Sequence, residues 1–297
     1  MAIGSTRAGF LRLALYLAWT FLCIPVQAAL VSLNLPGQAR FPRFYHRVCC
    51  RLMLALDVDV VGQPSVDRPT LFVSNHSSYL DIPVLGSVIP CSFVAKSEVG
   101  LWPMFGLLAR LQRTVFVNRA NKREAGKQRD DMAGRLIAGD SLVLFPEGTS
   151  SDGNRVLPFK TALFAVANTQ VDGRAVAVQP VSVVCTHLDN LPLGHDLRPL
   201  YAWYGDMELP PHLWQMIGAG RLRIRVEFHP VVSLEDFSSR KALADHCWQV
   251  VAAGVDRAVA GRWARPVPVA RPAAPARPAA PAGIGSDAAT GAARGMA

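Results

Sequence analysis

The sequence predicts an α/β fold, a mixed sheet flanked by helices, with an N-terminal helical segment that anchors the chain to a membrane. Three observations carry this. Apolar runs of strand length alternate with helix-length segments from residue 57 onward. An uncharged stretch over residues 13–33, mostly Leu, Ala, Val and aromatics, is long enough to span a bilayer or enter it deeply. Two polar motifs each follow directly on a strand-like run, and ligands of α/β sheets gather at strand ends.

Taken in order, the apolar stretch comes first. Arg12 precedes it, and Arg40, Arg43, Arg47 and Arg51 follow it. The stronger positive side is C-terminal, which places the main domain on the cytoplasmic side of the inner membrane. A signal peptide cut after Val26-Gln27-Ala28 is the rival reading. The apolar stretch runs on past that site, which favours the anchor. Next, Phe41, Phe44, Tyr45, Val48, Cys49, Leu52, Met53 and Leu56 recur at helical spacing with the four arginines opposite. Such a basic amphipathic helix either lies in an anionic membrane interface or packs on the domain core. Its adjacency to the apolar stretch favours the interface. Residues 1–56 are therefore read as the membrane module.

Residues 57–262 form the main domain. Strands are expected near 58–61, 70–74, 91–95, 113–117, 141–145, 176–185 and 221–228. Helices are expected near 79–88, 99–111, 121–138, 160–169 and 234–260, with Ser233 and Asp236 as a capping box for the last. Within 99–111, Leu101, Trp102, Met104, Phe105, Leu107 and Leu108 fit either buried core or a second membrane contact. Residues 263–297 are Ala, Pro, Arg and Gly without periodicity, the composition of a disordered tail.

Composition narrows the partners. The chain has 297 residues, 51% of them hydrophobic, and a net charge of +9. The mean hydropathy is +0.22, high for a soluble protein. A basic excess suits an anionic lipid surface, an acidic carrier protein or nucleic acid. Nucleic acid is set aside because no zinc spacing or RNA-binding block is present and the basic residues cluster beside apolar segments. Six cysteines, at 23, 49, 50, 91, 185 and 247, form no Cys-x-x-Cys pair and read as free cytosolic thiols.

The chemistry concentrates in Asn75-His76-Ser77-Ser78-Tyr79-Leu80-Asp81, which follows the strand-like Leu71-Phe72-Val73. A turn can fold Asp81 back onto one ring nitrogen of His76, leaving the other to take a proton from a bound hydroxyl. Imidazole ordinarily titrates near pH 6.5, so it accepts a proton near neutrality. A substrate that brings its own alcohol needs no protein nucleophile and no metal. Asn75 caps or braces the turn, and Ser77 and Ser78 cap the following helix. The second motif is Phe145-Pro146-Glu147-Gly148-Thr149-Ser150, after Leu142-Val143-Leu144. Gly148 suits a tight turn or close approach, while spacing alone gives Glu147 no role. Lys122, Arg123, Lys127 and Arg129, interleaved with acids, read as a solvated helix face or as a dock for an acidic carrier protein.

These two blocks, in this order, resemble those of the 1-acyl-sn-glycerol-3-phosphate acyltransferase (lysophosphatidic acid acyltransferase) family. Phe116-Val117-Asn118-Arg119, Val178-Gln179-Pro180-Val181 and Phe159-Lys160 match further blocks, and the resemblance covers roughly residues 40–235. It implies transfer of a fatty acyl group from an acyl carrier protein or coenzyme A thioester to a lysolipid hydroxyl, without a further cofactor. His76 and Asp81 take the catalytic positions. Asn75, Arg119, Glu147, Gly148, Thr149 and Lys160 take substrate-binding positions, Arg119 on the acceptor phosphate. The family's default acceptor is 1-acyl-sn-glycerol-3-phosphate, giving phosphatidic acid. Two departures bear on this. Ser150 stands where an arginine is common, and Arg113 where glycine is common. The loop Ser151 to Lys160 resembles the branch acting on lyso-ornithine lipid, a phosphate-free acceptor, with Arg113 or Arg155 as replacements for the missing arginine. A lipid hydrolase or thioesterase is the reading from a different class, and no Gly-x-Ser-x-Gly elbow supports it.

Overall fold

The computed structural model describes residues 5–65, 69–118 and 125–262. Arg119, Lys122, Arg123 and the tail from residue 263 lie outside the described residues. Helix α1 is Thr6–Ser32, capped by the Ser5 hydroxyl, which accepts from the Ala8 amide. Helix α2 is Phe41–Val48, followed by one π-turn, Cys49–Met53. Strands β1 (Leu56–Val61) and β2 (Thr70–Ser74) lead into α3 (Asp81–Val88), β3 (Ser92–Lys96), α4 (Phe105–Leu111), β4 (Val115–Val117), α5 (Ala125–Ile137) and β5 (Leu142–Leu144). After them come the short β6 (Gln170–Val171) and β7 (Arg174–Ala175), the long β8 (Ala177–Leu188), β9 (Leu191–Pro192), α6 (Leu209–Gly218), β10 (Leu222–Phe228) and α7 (Arg240–Val259).

The main sheet has the order β1-β10-β8-β2-β5-β3-β4, with β9 added to β8. β8, β2, β5, β3 and β4 run parallel, and β10 is antiparallel to β8 with β1 parallel to β10. The sheet is mixed, as expected. β2 and β5 sit at its centre and are buried along their whole length, so both read as continuous apolar runs. Their side chains alternate between two cores. Phe72 and Val143 face one core, with Leu85 of α3 and Ile217 of α6. Leu71, Val73, Leu142 and Leu144 face the other, with Leu136 of α5 and Leu243 of α7. Each such side chain contributes about 1.5–3 kcal/mol by leaving water.

The helices depart from expectation in places, each with a local cause. The π-turn rotates the chain after α2, because i→i+5 bonding inserts an extra residue into the turn. Cys50 turns into the core, and Leu52, expected on the apolar face, is 68% exposed. The expected helix over 99–111 is a 3-10 turn, Ser97–Leu101, and then α4. Pro103 cannot continue a helix, and Met104 lies at a φ of 60°. Leu101 is 81% exposed, so the core reading of this stretch fails at its tip. Residues Thr161–Asn168 form a 3-10 helix rather than an α-helix. The Ser233–Asp236 capping box exists, but it closes the short turn Leu234–Asp236, and α7 starts later on its own cap, Ser239.

Helix α6 was not expected. Its Pro210-Pro211 pair reads as a breaker, yet the first helical turn has no need of those amides. The six cysteines are buried and unpaired, in line with free thiols.

Helix α1 is docked along the domain. The Ser5 amide donates to Gly218 O at 3.0 Å, and Arg12 donates to Ile217 O and Ala219 O at 3.1 and 2.6 Å. Farther along, Thr20 bonds the Tyr45 hydroxyl at 2.8 Å. Gln27 donates to Gln38 O and Leu111 O at 2.9 and 2.8 Å. The opposite face, with Phe10, Leu11, Phe21 and Leu22, is exposed.

Candidate active site

The register of β2 with β5 places the two motifs side by side. Leu71 pairs with Leu142 and Val73 with Leu144, so His76 leaves its strand beside Glu147. The Glu147 carboxylate exploits this. One oxygen accepts from the His76 amide at 2.7 Å, and the other from the Leu157 amide at 2.8 Å. Glu147 is 2% exposed. Burial pushes its carboxyl up to about 8, opposed by those two amides and reinforced by the nearby Asp81 carboxylate.

His76 Nδ1 lies 2.9 Å from Asp81 Oδ2. The same oxygen accepts from the Ser77 and Ser78 amides at 2.8 and 2.9 Å. Asp81 opens α3 and is fully buried. Oδ2 accepts from both amides and from the ring, so Nδ1 carries the proton and Nε2 keeps a free lone pair. The imidazole stacks on Phe145, with ring centroids 4.2 Å apart and planes at 20°. Its side chain is 23% exposed, so the outer nitrogen is open to a substrate. Among the described residues, no serine or cysteine side chain is hydrogen-bonded to the His76 imidazole; the Ser151 hydroxyl donates to the His76 carbonyl at 3.3 Å. The Ser77 and Ser78 amides hold Asp81, and the Ser78 hydroxyl accepts from the Leu80 amide at 3.3 Å.

The other expected site residues fall into different positions. Asn75, placed among the substrate-binding residues from sequence, spends both ends of its side chain on Val183. Its amide donates to Val183 O at 2.9 Å, and its oxygen accepts from Val183 N at 2.8 Å. It braces the end of β2 against β8, which is the bracing role the turn also suggested. Gly148 has a φ of 77°, and a methyl there would collide with the Lys160 ammonium. The positive φ demands glycine; the lysine tip is flexible and could move aside. Lys160 is exposed and lies across Gly148, and Thr149 is exposed. Arg113 is not a replacement for the missing arginine, because Asp140 holds it bidentately at 2.8 and 2.9 Å. Arg155 is exposed on the loop.

Three features escaped the sequence reading. The Tyr201 hydroxyl donates to Asp81 Oδ1 at 2.8 Å. The Trp203 amide donates to Ser77 O at 2.8 Å, and the Ser150 hydroxyl donates to Trp203 O. One short segment thus straps both motifs from more than 50 residues away. The chain also holds a Ser182–His229–Glu227 grouping under α7, with Ser182 Oγ 2.7 Å from His229 Nε2. Its serine proton goes to Val251 O at 3.0 Å, away from the histidine. Ser182 and His229 are buried, and Gly254 covers them so closely that a methyl would collide with the Ser182 hydroxyl. This grouping packs α7 and does not act as a hydrolase triad. Among the described residues, no group of three His, Cys, Asp or Glu side chains is arranged to hold a metal ion.

A histidine held by a buried carboxylate at the C-terminal edge of a mixed sheet, open on its outer nitrogen, is an arrangement that can activate a hydroxyl. The chain belongs to the acyltransferase family, whose family model, Acyltransferase, matches residues 57–184. It is 44% identical over 263 residues to the lyso-ornithine lipid O-acyltransferase of Brucella abortus, covering 88% of this chain and 98% of that protein. It is 34% identical over 197 residues to the 1-acyl-sn-glycerol-3-phosphate acyltransferase of Neisseria meningitidis, covering 65% and 73%. The crystal structure of the 1-acyl-sn-glycerophosphate acyltransferase of Thermotoga maritima shares the fold, with a TM-score of 0.52 and 23% identity. That match covers 87% of this chain and all of that one.

Proposed function

We propose that this acyltransferase esterifies the free hydroxyl of lyso-ornithine lipid, using an acyl carrier protein or coenzyme A thioester as donor. The observation that carries the acyl-transfer chemistry is the His76–Asp81 pair, with Nδ1 engaged and Nε2 open. His76 Nε2 takes the proton of the acceptor alcohol as its oxygen attacks the thioester carbonyl. A C–O bond forms and the C–S bond breaks. The departing thiolate takes the proton back from the imidazolium, so no group is consumed. Asp81 stabilises the imidazolium during the step. Glu147 and Asn75 hold the backbone that carries the histidine.

Two observations favour this acceptor. Ser150 stands where a phosphate-binding arginine is common, and its hydroxyl is tied to the strap instead. Relatives at 44% and 45% identity carry the lyso-ornithine lipid name. The second reading, 1-acyl-sn-glycerol-3-phosphate as acceptor, rests on the Neisseria relative and on Arg119 and Lys160 as phosphate ligands. The test is purified enzyme in detergent with labelled donors of both kinds and both lysolipids. Transfer to lyso-ornithine lipid at the higher kcat/KM is expected. Transfer confined to 1-acyl-sn-glycerol-3-phosphate would establish the second reading, and fatty acid release without an acceptor would point to hydrolysis.

The same proposal places the enzyme on the cytoplasmic face of the inner membrane. Helix α1 is long and apolar enough to cross a bilayer. Its contacts from Ser5 to Gln27 keep it flat against the domain, which favours a helix lying in one leaflet. Phe44 and Leu52 point outward beside exposed Arg40, Arg47 and Arg51, a surface suited to anionic lipid. Truncating residues 1–33 should leave a salt-sensitive membrane-bound fraction, and complete solubility at low salt would refute the interfacial role of α2.

A further inference from the structure

We propose that Tyr201 is a positioning residue for acyl transfer, acting through Asp81 to hold His76. This rests on His76 being the base. The phenol donates to Asp81 Oδ1 at 2.8 Å, while the other oxygen takes His76 and two backbone amides. Torsion about the bond carrying a carboxylate is broad. Without Tyr201, all of the donors to Asp81 would sit on one oxygen. The second oxygen would be a buried, unpaired acceptor that gains by swinging toward a donor, and the histidine would swing with it. With Tyr201 in place, both oxygens are pinned.

The surroundings show that the hydroxyl, and not only the ring, is placed. Tyr201 is 1% exposed and Asp81 fully buried, so water does not substitute for the phenol. Burial and the Asp81 carboxylate push the phenol far above its ordinary value. It stays protonated and is the donor. The other titratable groups facing it are the Cys185 and Cys50 thiols, which burial also keeps protonated. Tyr201 sits on the strap, two residues before Trp203, whose amide holds Ser77 O and whose carbonyl accepts from Ser150. Through Trp203 the strap is thereby registered on both the His76 loop and the Glu147 loop.

The experiment is a cycle of Tyr201→Phe, Asp81→Asn and the double variant, with His76→Ala as control, in detergent with a radiolabelled donor. Tyr201→Phe removes one oxygen. It should lower kcat about ten- to a hundredfold, the loss expected for a hydrogen bond to a charged group. KM for acceptor and donor should change less than about twofold, because the residue touches neither. The acid limb of the kcat/KM profile should move to higher pH, since a carboxylate with one donor fewer holds the imidazolium proton more tightly. In the Asp81→Asn background the same change should cost less than about twofold.

Wild-type kcat in Tyr201→Phe would overturn the proposal, as would an equal loss in the Asp81→Asn background. So would loss of the thermal unfolding transition in Tyr201→Phe, since the hydroxyl would then be holding the core rather than the pair. Should His76→Ala itself retain activity, the failure would belong to the base assignment and not to Tyr201.

Discussion

Asp81→Asn separates charge from geometry at this site. Asp81 is fully buried and accepts from four donors: His76 Nδ1, the Ser77 and Ser78 amides, and the Tyr201 hydroxyl. An asparagine is the same shape but has one accepting end. The two serine amides decide which way it turns. They force its oxygen into the Oδ2 position, where it still accepts from His76, and its NH2 then points at the Tyr201 oxygen, which can accept. The histidine keeps its tautomer, and the Tyr201 hydroxyl turns from donor to acceptor, leaving its own proton without the oxygen that took it. What is lost is the negative charge beside the imidazolium. Two unit charges about 4 Å apart interact by about 4 kcal/mol at an effective dielectric of 20, roughly a thousandfold in kcat. The assay is kcat with saturating donor and acceptor, together with a melt in detergent. A melting temperature within a few degrees of wild type and a kcat loss near a thousandfold are expected. A loss below tenfold would refute the view that Asp81 stabilises charge. By contrast, Asp81→Ala strands four donors in the interior and should unfold the site.

Glu147→Gln should lower kcat about tenfold or more while leaving the acceptor KM nearly unchanged, because one of its two backbone amides loses its acceptor and the His76 backbone shifts. A rise confined to the acceptor KM would show that Glu147 binds substrate instead. Ser150→Arg breaks the tie to Trp203 O. Transfer to lyso-ornithine lipid should fall about two- to tenfold, with relative preference moving toward 1-acyl-sn-glycerol-3-phosphate; unchanged rates on both acceptors would make the tie dispensable. Burial holds His46 and His229 down to about 4. Between pH 6.5 and 4 the unfolded chain binds protons that the folded chain refuses, so stability falls as pH falls through that window, on the order of 3 kcal/mol per histidine. Melts at pH 7 and 5 should show this, and His229→Gln should flatten the slope; a melting temperature independent of pH would count against it.

The His76–Asp81 contact was legible because it is local. His76 and Asp81 lie five residues apart, and a strand-to-helix turn closes over that distance whatever the rest of the fold does. The sheet was legible for a similar reason, since β2 and β5 are continuous apolar runs bounded by polar motifs. Failures came where distant segments decide. Asn75 was read as a brace as well as a substrate ligand, but its partner Val183 on β8 lies 108 residues away and could not be named. Arg113 is claimed by Asp140, which no spacing rule connects to it. The outward turn of Leu52 depends on one π-turn, a shift that a constant helical period does not describe. Helix α6 hid behind its two prolines, which are harmless only because they fall in the first turn.

The strap shows why such supports escape a reading by motif and why they matter. Motifs name the groups that touch the reacting atoms, but a base works only within a narrow geometry, and that geometry is set by what holds it. Here the His76 loop is held through its backbone by Glu147 and Trp203, and through Asp81 by Tyr201. Ser150 joins the same assembly in place of the arginine common at that position. A residue expected to speak for the acceptor therefore also bears on the His76 loop. If that coupling holds, acceptor preference and kcat should not vary independently at position 150. Restoring the arginine should give a poorer base along with any new anion ligand. A Ser150→Arg enzyme that gained the phosphate acceptor with no loss of kcat would show the two functions to be separable.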